Sequence, residues 1–519
     1  VIVGLYILPS LWQDLGGYDY FLLLNAQELD MVARSTLPIF FLVSIAILYS
    51  YSSVSGEVER TVEIPLVLDD EVELILTTHP ENSLMVNAQV STSGESRVAI
   101  RINSAVTDRR RTNYTDWGTE HDMTLAGLRA DTTYRFTALA TLESGETVQS
   151  STVSFKTGSL PEGVPSVEVM ALTEQSEGGI TIFAPSGDRN NTFWGFDEEG
   201  EVVWYLHGDV PLTGAPVVRN LKDGSLMLLL DKEARIISFA GETLQSFELP
   251  AYHHDAILLG NGNLLVLTDA IETIDGQLLK GDVILEVDGQ GNSVWEWSAF
   301  DHLDTQRFPG ELSSREVGDG ALDWTHSNSI HYIDADSSIL LSSRSQSWVV
   351  NIDHASGEVK WIMGRDSDTS DHLLGRLFSL QTGTWMASQH AAMLASDGEI
   401  LIYDNRNESE YSGEIYNSRA VKFSLDIVEK TAEQTWEYIA PKYTQSLGDV
   451  DELAGGNILL CAGGPSPASN GGNSDAYIIE VTSDTGAETA WEMVVSDTSV
   501  YRAERFSWRE LSSVNNLSF

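Results

Sequence analysis

A recurring aromatic constrains this chain more than any other feature. Beyond Pro165 one pattern returns six times: an apolar run, an acidic turn with Gly or a polar residue, a β-run, then an aromatic. The instances end at Trp204, Phe247, Trp295, Trp361, Trp436 and Trp491. Each reads as two outer strands joined by a tight turn, with the aromatic placed between neighbouring units. Such units with no long helical period between them predict a six-bladed β-propeller, in which every small sheet is covered by the next. Unrelated sheets would have no reason to repeat one aromatic at one place. The fold class is therefore all-β, with residues 166–519 forming the propeller and carrying the chemistry.

Two shorter segments precede it. Over 60–158, short alternating strands such as Val72–Leu76, Arg97–Arg101 and Tyr134–Ala138 predict a small β-sandwich. Its late strands resemble a fibronectin type III-like sandwich, where a Tyr (here Tyr134) pins a strand corner. Pro161 and Pro165 set an extended linker to the propeller. Residues 1–56 read as a signal peptide or N-terminal anchor. Met31-Val32-Ala33-Arg34 supplies a positive start, Leu37–Tyr49 is an apolar run, and small residues follow at Ser52–Gly56. Met31 is then the expected true start, and export to a periplasmic or extracellular location follows, with an uncleaved membrane anchor as the alternative.

A second pattern interleaves with the first. A turn residue precedes an apolar strand at Gly224, Gly262, Asp334, Gly398 and Gly456. Eight positions before each stand Pro216, His254, His326, His390 and Gly448. In a propeller this position begins the innermost strand, so matched positions face one another across the central channel. Three imidazoles at matched positions have no folding rationale, and they mark a site. His253 and His331 neighbour the pattern, yet strand alternation points them away from the side that His254 and His326 face.

The net charge of -47 repels phosphate backbones, which excludes nucleic acid as a partner. A site for an anion must then build its own positive potential. Three His near one axis raise a metal first, since a tris-imidazole set suits zinc. Arg344, in the apolar strand Leu340–Arg344 of the His326 unit, favours an oxyanion instead, because a guanidinium repels a dication and donates two hydrogen bonds to a tetrahedral anion. Two other readings stay open: a metal-dependent propeller hydrolase or lyase with three His ligands, and a non-catalytic anion-binding propeller. The single cysteine, Cys461, permits no intramolecular disulfide and sits in the apolar run Ile458–Cys461 as a small hydrophobe.

Tyr252-His253-His254-Asp255, Asp323-Trp324-Thr325-His326-Ser327-Asn328, Ser342-Ser343-Arg344 and Gln389-His390-Ala391-Ala392 together resemble the bacterial arylsulfate sulfotransferase family. Gly448-Asp449-Val450 fits the last active-site blade of that family. The resemblance implies nucleotide-independent, ping-pong transfer of a sulfuryl group from an aryl sulfate donor to a phenolic acceptor, with no cofactor. By the same resemblance His390 is the nucleophile that becomes sulfurylated. His254, His326 and Arg344 hold the sulfonate oxygens, with Asn328 a further contact. Tyr252, Trp324 and Trp385 are candidates to stack on the aryl ring, although core packing explains them as well.

Overall fold

The computed structural model describes residues 50–53, 56–59, 72–508 and 517–518, apart from 106–109, 187–191, 208–216, 222, 250, 310–312, 368, 407–415 and 465–473. The expected leader over 1–56, its start at Met31, and Pro216 thus lie outside the described residues. The exceptions are Ser50–Ser53 and Gly56–Glu59, which pair as an antiparallel hairpin. Among the described residues, no helix is long and apolar enough to cross a membrane.

The rest of the chain is dominated by a six-bladed propeller. Blade 1 holds Ile180–Pro185, Thr192–Phe196 and Val202–His207, with Val500–Phe506 as its innermost strand. Blades 2 to 6 span 217–248, 256–298, 327–364, 390–439 and 449–495, each running antiparallel from the channel outwards. Val167–Leu172 is added to the outer edge of blade 6. Both chain ends of the propeller are therefore hydrogen-bonded into a blade formed by the opposite end, which ties the ring shut.

The burial pattern follows from this stacking. Strands covered by blades on both sides are almost wholly apolar: Ile180–Pro185, Leu226–Leu230 and Ile458–Ala462 are buried at every residue. The outer strand Thr431–Ile439 is buried only at Ala432 and Trp436. The repeated aromatics share one register. Trp204, Trp295, Trp361, Trp436 and Trp491 stand opposite Gly195, Glu286, Asn351, Lys422 and Glu480, one step from a β-bulge in every case. Blade 2 departs: Gln245 takes that register, opposite Ile236, and Phe247 lies two residues further on. A shift of two keeps the ring on the same face of the strand, so the repeat survives the displacement.

The expected packing between blades is made by a specific bond. The indole N–H of Trp204 donates to Phe239 O at 2.8 Å, that of Trp436 to Asp484 O at 3.0 Å, and that of Trp491 to Glu198 O at 2.8 Å. Each acceptor lies in the outer turn of the next blade. In blade 3 the bond comes from Trp297, to Gly357 O at 3.0 Å, rather than from Trp295.

The preceding β-domain is organised by one long strand, Val86–Asn103. It pairs with Val72–Thr78 and Gly118–Leu125 along its first part, and with Thr133–Leu142 along its second. The Tyr134 hydroxyl accepts the backbone N–H of Arg129 at 2.9 Å, which is the expected corner. Arg129 also reaches Asp197 at 2.7 Å and Glu199 at 2.8 Å in blade 1, joining the domain to the propeller. Cys461 is buried against blade 1, with its thiol directed to Val500 O.

Candidate active site

The channel ends of the innermost strands form the site, and their backbone there is unusual. His254 and His326 adopt left-handed φ of 58° and 44°, and Ser388 and Ala391 flank His390 with φ of 55° and 42°. Left-handed non-glycine residues cost about 1 kcal/mol or more each and persist where the surroundings over-determine them. Here they swing side chains off the strand and into the channel mouth. Blade 6 continues the series with Gly448, φ 120°. A Cβ at Gly448 would lie 2.1 Å from the Tyr403 ring, so the matched position is glycine because that ring occupies its space.

The three histidines gather as expected. The His254 and His326 rings are 5.0 Å apart, and the Tyr501 ring lies 6.2 Å from His254 and 6.3 Å from His390. His390 is buried, and its Nδ1 lies 2.6 Å from Asn405 Oδ1. The Asn405 amide nitrogen donates to Thr444 O at 3.0 Å and Leu447 O at 2.9 Å, which fixes Oδ1 as the acceptor. His390 therefore carries its proton on Nδ1 and keeps the Nε2 lone pair. His326 is oriented in the same way by Asp323, at 2.6 Å from its Nδ1. Burial alone would raise Asp323, but the His326 hydrogen bond and charge hold it below the usual carboxylate range.

Burial pushes His390 well below its ordinary value, and the Arg344 guanidinium adds to this, against the opposing effect of the hydrogen bond that His390 donates to Asn405. Burial and then its histidine neighbours, His253 first, push His254 down as well. Both imidazoles are neutral near neutral pH. Arg344 is buried just past the strand Ser338–Ser343; its backbone N–H meets His326 O at 3.3 Å and its Nη2 donates to Gln445 O at 3.1 Å. Among the described residues, no three His, Cys, Asp or Glu side chains converge as metal ligands. The arrangement sets a neutral imidazole lone pair in the field of a buried guanidinium, which suits chemistry at an anionic tetrahedral centre.

The family model for arylsulfotransferase (ASST) matches residues 166–502. The chain belongs to the arylsulfotransferase family. It is 25% identical over 311 residues to arylsulfate sulfotransferase AssT of Escherichia coli O6:H1, covering 47% of this chain and 52% of that protein. It thus spans about half the length of this curated relative. Among solved structures, a protein of unknown function from Bacteroides caccae is 15% identical, covering 63% of this chain and 98% of that one at a TM-score of 0.39. Kluyveromyces lactis Hsv2 is 8% identical, covering 66% and 99% at a TM-score of 0.32.

Several residues gathered around this site escape the sequence pattern. Tyr501 and Arg502 come from the chain end, as the innermost strand of blade 1. Arg502 approaches buried Asp255 at 3.4 Å, and Arg219 grips the same carboxylate at 2.6 Å. Arg502 also donates to Asn328 O at 3.0 Å. His253 corrects the alternation argument: its Nδ1 lies 2.8 Å from His254 Nδ1. The left-handed backbone at His254 breaks the two-residue period, so adjacent rings meet instead of opposing.

The remaining candidates are placed as follows. Asn328 is buried and donates to Gln389 O at 2.8 Å, bracing the residue before His390. Tyr252 is half-buried against the core of blades 2 and 3, and burial pushes its phenol up to about 12. Trp324 is fully buried, with its indole N–H on Arg307 O at 3.2 Å and its ring 5.3 Å from Phe300. Core packing accounts for Trp324.

Proposed function

We propose that this protein transfers a sulfuryl group from an aryl sulfate to a phenolic acceptor by a two-step exchange at His390. The observation that carries the reading is the 2.6 Å contact between His390 Nδ1 and Asn405 Oδ1, which leaves Nε2 as an oriented lone pair on a ring that feels the Arg344 charge. In the first step the Nε2–S bond forms as the S–O(aryl) bond breaks, and the phenolate leaves with a proton from a neighbouring imidazole. In the second step the acceptor oxygen attacks sulfur, its proton returns to that imidazole, and His390 is released. Such transfer passes through a loose transition state, as phosphoryl transfer does, so positioning and charge stabilisation carry the catalysis. Arg344 and His326 are assigned to the sulfonate oxygens, and His254 to the aryl oxygen. Family membership over 166–502 supports the same reading.

Incubation with a chromogenic aryl sulfate, with and without phenol, tests it. Phenol-dependent release of chromophore and a sulfuryl adduct on His390 under donor alone are expected. Absence of acceptor sulfation, or full activity in His390→Ala, defeats the proposal. Export or anchoring through the apolar run Leu37–Tyr49 is proposed on sequence alone, and N-terminal sequencing of protein recovered outside the cytoplasm tests it.

A further inference from the structure

His253 is not needed by the three-histidine scheme, yet it is joined directly to one of its rings. Its Nδ1 lies 2.8 Å from His254 Nδ1, with the rings nearly perpendicular at 86°. Its other nitrogen, Nε2, faces Asp282 at 3.2 Å and Asp269 at 3.9 Å. Asp269 is also paired with Lys280 at 2.8 Å. Asp282 is buried and accepts the Ser327 backbone N–H at 2.6 Å. Burial alone would raise Asp282, but the adjacent His253 ring and the Ser327 N–H hold it below the usual carboxylate range. Two facing nitrogens at this distance must share one proton, since two lone pairs or two N–H groups would repel.

We propose that Asp282, His253 and His254 form a proton relay in which His253 holds the positive charge and His254 presents the proton to the aryl oxygen. In the charged state His253 bears protons on both nitrogens against the Asp282 carboxylate, and His254 is neutral with Nε2–H in the site. As the donor's S–O bond breaks, that Nε2 proton passes to the phenolate oxygen and the His253 Nδ1 proton moves to His254 Nδ1. His253 is then neutral and His254 Nε2 is a lone pair, ready to take the acceptor's proton in the second step and reverse the shift. Protons and charge balance over the cycle, and His254 never becomes an imidazolium. That matches its surroundings: burial and the neighbouring imidazoles disfavour charge on His254, whereas two carboxylates face the His253 Nε2. His253 is thus a positioning residue acting through His254.

The chemistry rests on the transfer reading above, but the first test needs no turnover. NMR of isotope-labelled histidine is expected to show the His254 Nδ1 proton in exchange with His253, and His253→Ala to shift the His254 tautomer. An unchanged His254 spectrum overturns the relay even if the protein transfers nothing. The second test uses leaving groups of different basicity. With a nitrophenyl sulfate, whose phenolate needs no proton, His253→Ala is expected to lose only a few-fold in kcat. With unsubstituted phenyl sulfate the loss is expected to be about 100-fold or more, the range of general acid catalysis. Equal losses with both donors overturn the proposal, because misplacement alone would not sort substrates by leaving group. His253→Asn keeps an acceptor for His254 but cannot titrate; it is expected to restore the His254 spectrum and not the slow donor. Full rescue of the slow donor by Asn would also defeat it. If wild type releases phenol from neither donor, the transfer reading fails and the spectrum alone decides the relay.

Discussion

His390 Nδ1 lies 2.6 Å from Asn405 Oδ1, and the Asn405 amide nitrogen is committed to the carbonyls of Thr444 and Leu447. The neutral amide fixes the tautomer without adding a negative charge, so His390 stays neutral. Because burial and Arg344 already push His390 well below 6.5, kcat/KM should stay flat as pH falls through 6.5. Asn405→Asp places a carboxylate on the same nitrogen, which favours the imidazolium and raises the His390 value. The acidic limb of the pH profile should then move to higher pH. A profile for Asn405→Asp that overlays wild type would show that His390 protonation does not limit the reaction.

The channel below the site predicts a stability effect of opposite origin. Burial and then the Glu504 carboxylate push Asp451 up to about 8, and burial raises Glu504 to about 7. A raised folded value means the folded state binds protons that the unfolded state has released. Stability is fully present below the ordinary carboxylate range and is lost as pH rises towards 8. Asp451→Asn removes the titrating group, so its Tm should exceed wild type at pH 8 and converge on it near pH 4. Parallel Tm curves for the two proteins would contradict this.

The repeats made much of the molecule legible. Turn residues at a fixed distance make His254, His326 and His390 comparable from the sequence alone, and the structure places them at or just before the starts of inner strands. What was missed lacks a period. Tyr501 and Arg502 belong to an inner strand supplied by the chain end and paired with Ile180–Pro185, so the turn from which the pattern is counted does not follow it. Asn405 follows the second strand of its blade, and nothing in a sequence pattern joins it to His390. His253 was misassigned because alternation assumes extended backbone, and His254 is left-handed. Trp324 looked available to a ligand because it neighbours His326, whereas its indole bond and burial turn it into the core.

A chelator distinguishes the tris-imidazole metal centre from the nucleophile assignment. His390 Nδ1 and His326 Nδ1 are already bonded to Asn405 and Asp323, and the acid–base scheme needs no ion. Prolonged treatment with EDTA followed by desalting should leave the transfer rate unchanged. A loss restored by zinc would reassign the three histidines as ligands.

The ring closure should be as strong as any other seam. Trp491 in blade 6 donates to Glu198 O in blade 1 at 2.8 Å, as Trp436 in blade 5 donates to Asp484 O in blade 6. Replacing either with Phe removes one hydrogen bond and leaves an acceptor and a small void, at a cost of about 1–3 kcal/mol. Urea unfolding should show similar losses for Trp491→Phe and Trp436→Phe. A much larger loss for Trp491→Phe would mean that closure is the weak seam, and that Arg505, 4.6 Å over the Trp491 ring, is part of the latch.

Arg344 has two effects that substitution can separate. Its charge depresses His390, and in the proposed reaction its planar fork would hold two sulfonate oxygens. Arg344→Lys keeps the charge and loses the fork, so kcat/KM should fall by about 100-fold, as for loss of one oxyanion donor, while the acidic limb stays in place. Arg344→Met removes both. Without the neighbouring cation the imidazolium form of His390 becomes easier to make, its value rises, and the acidic limb should move to higher pH as the rate falls further. If Lys and Met shift the profile equally, the depression of His390 comes from burial alone, and Arg344 acts only as a hydrogen-bond donor to the transferred group.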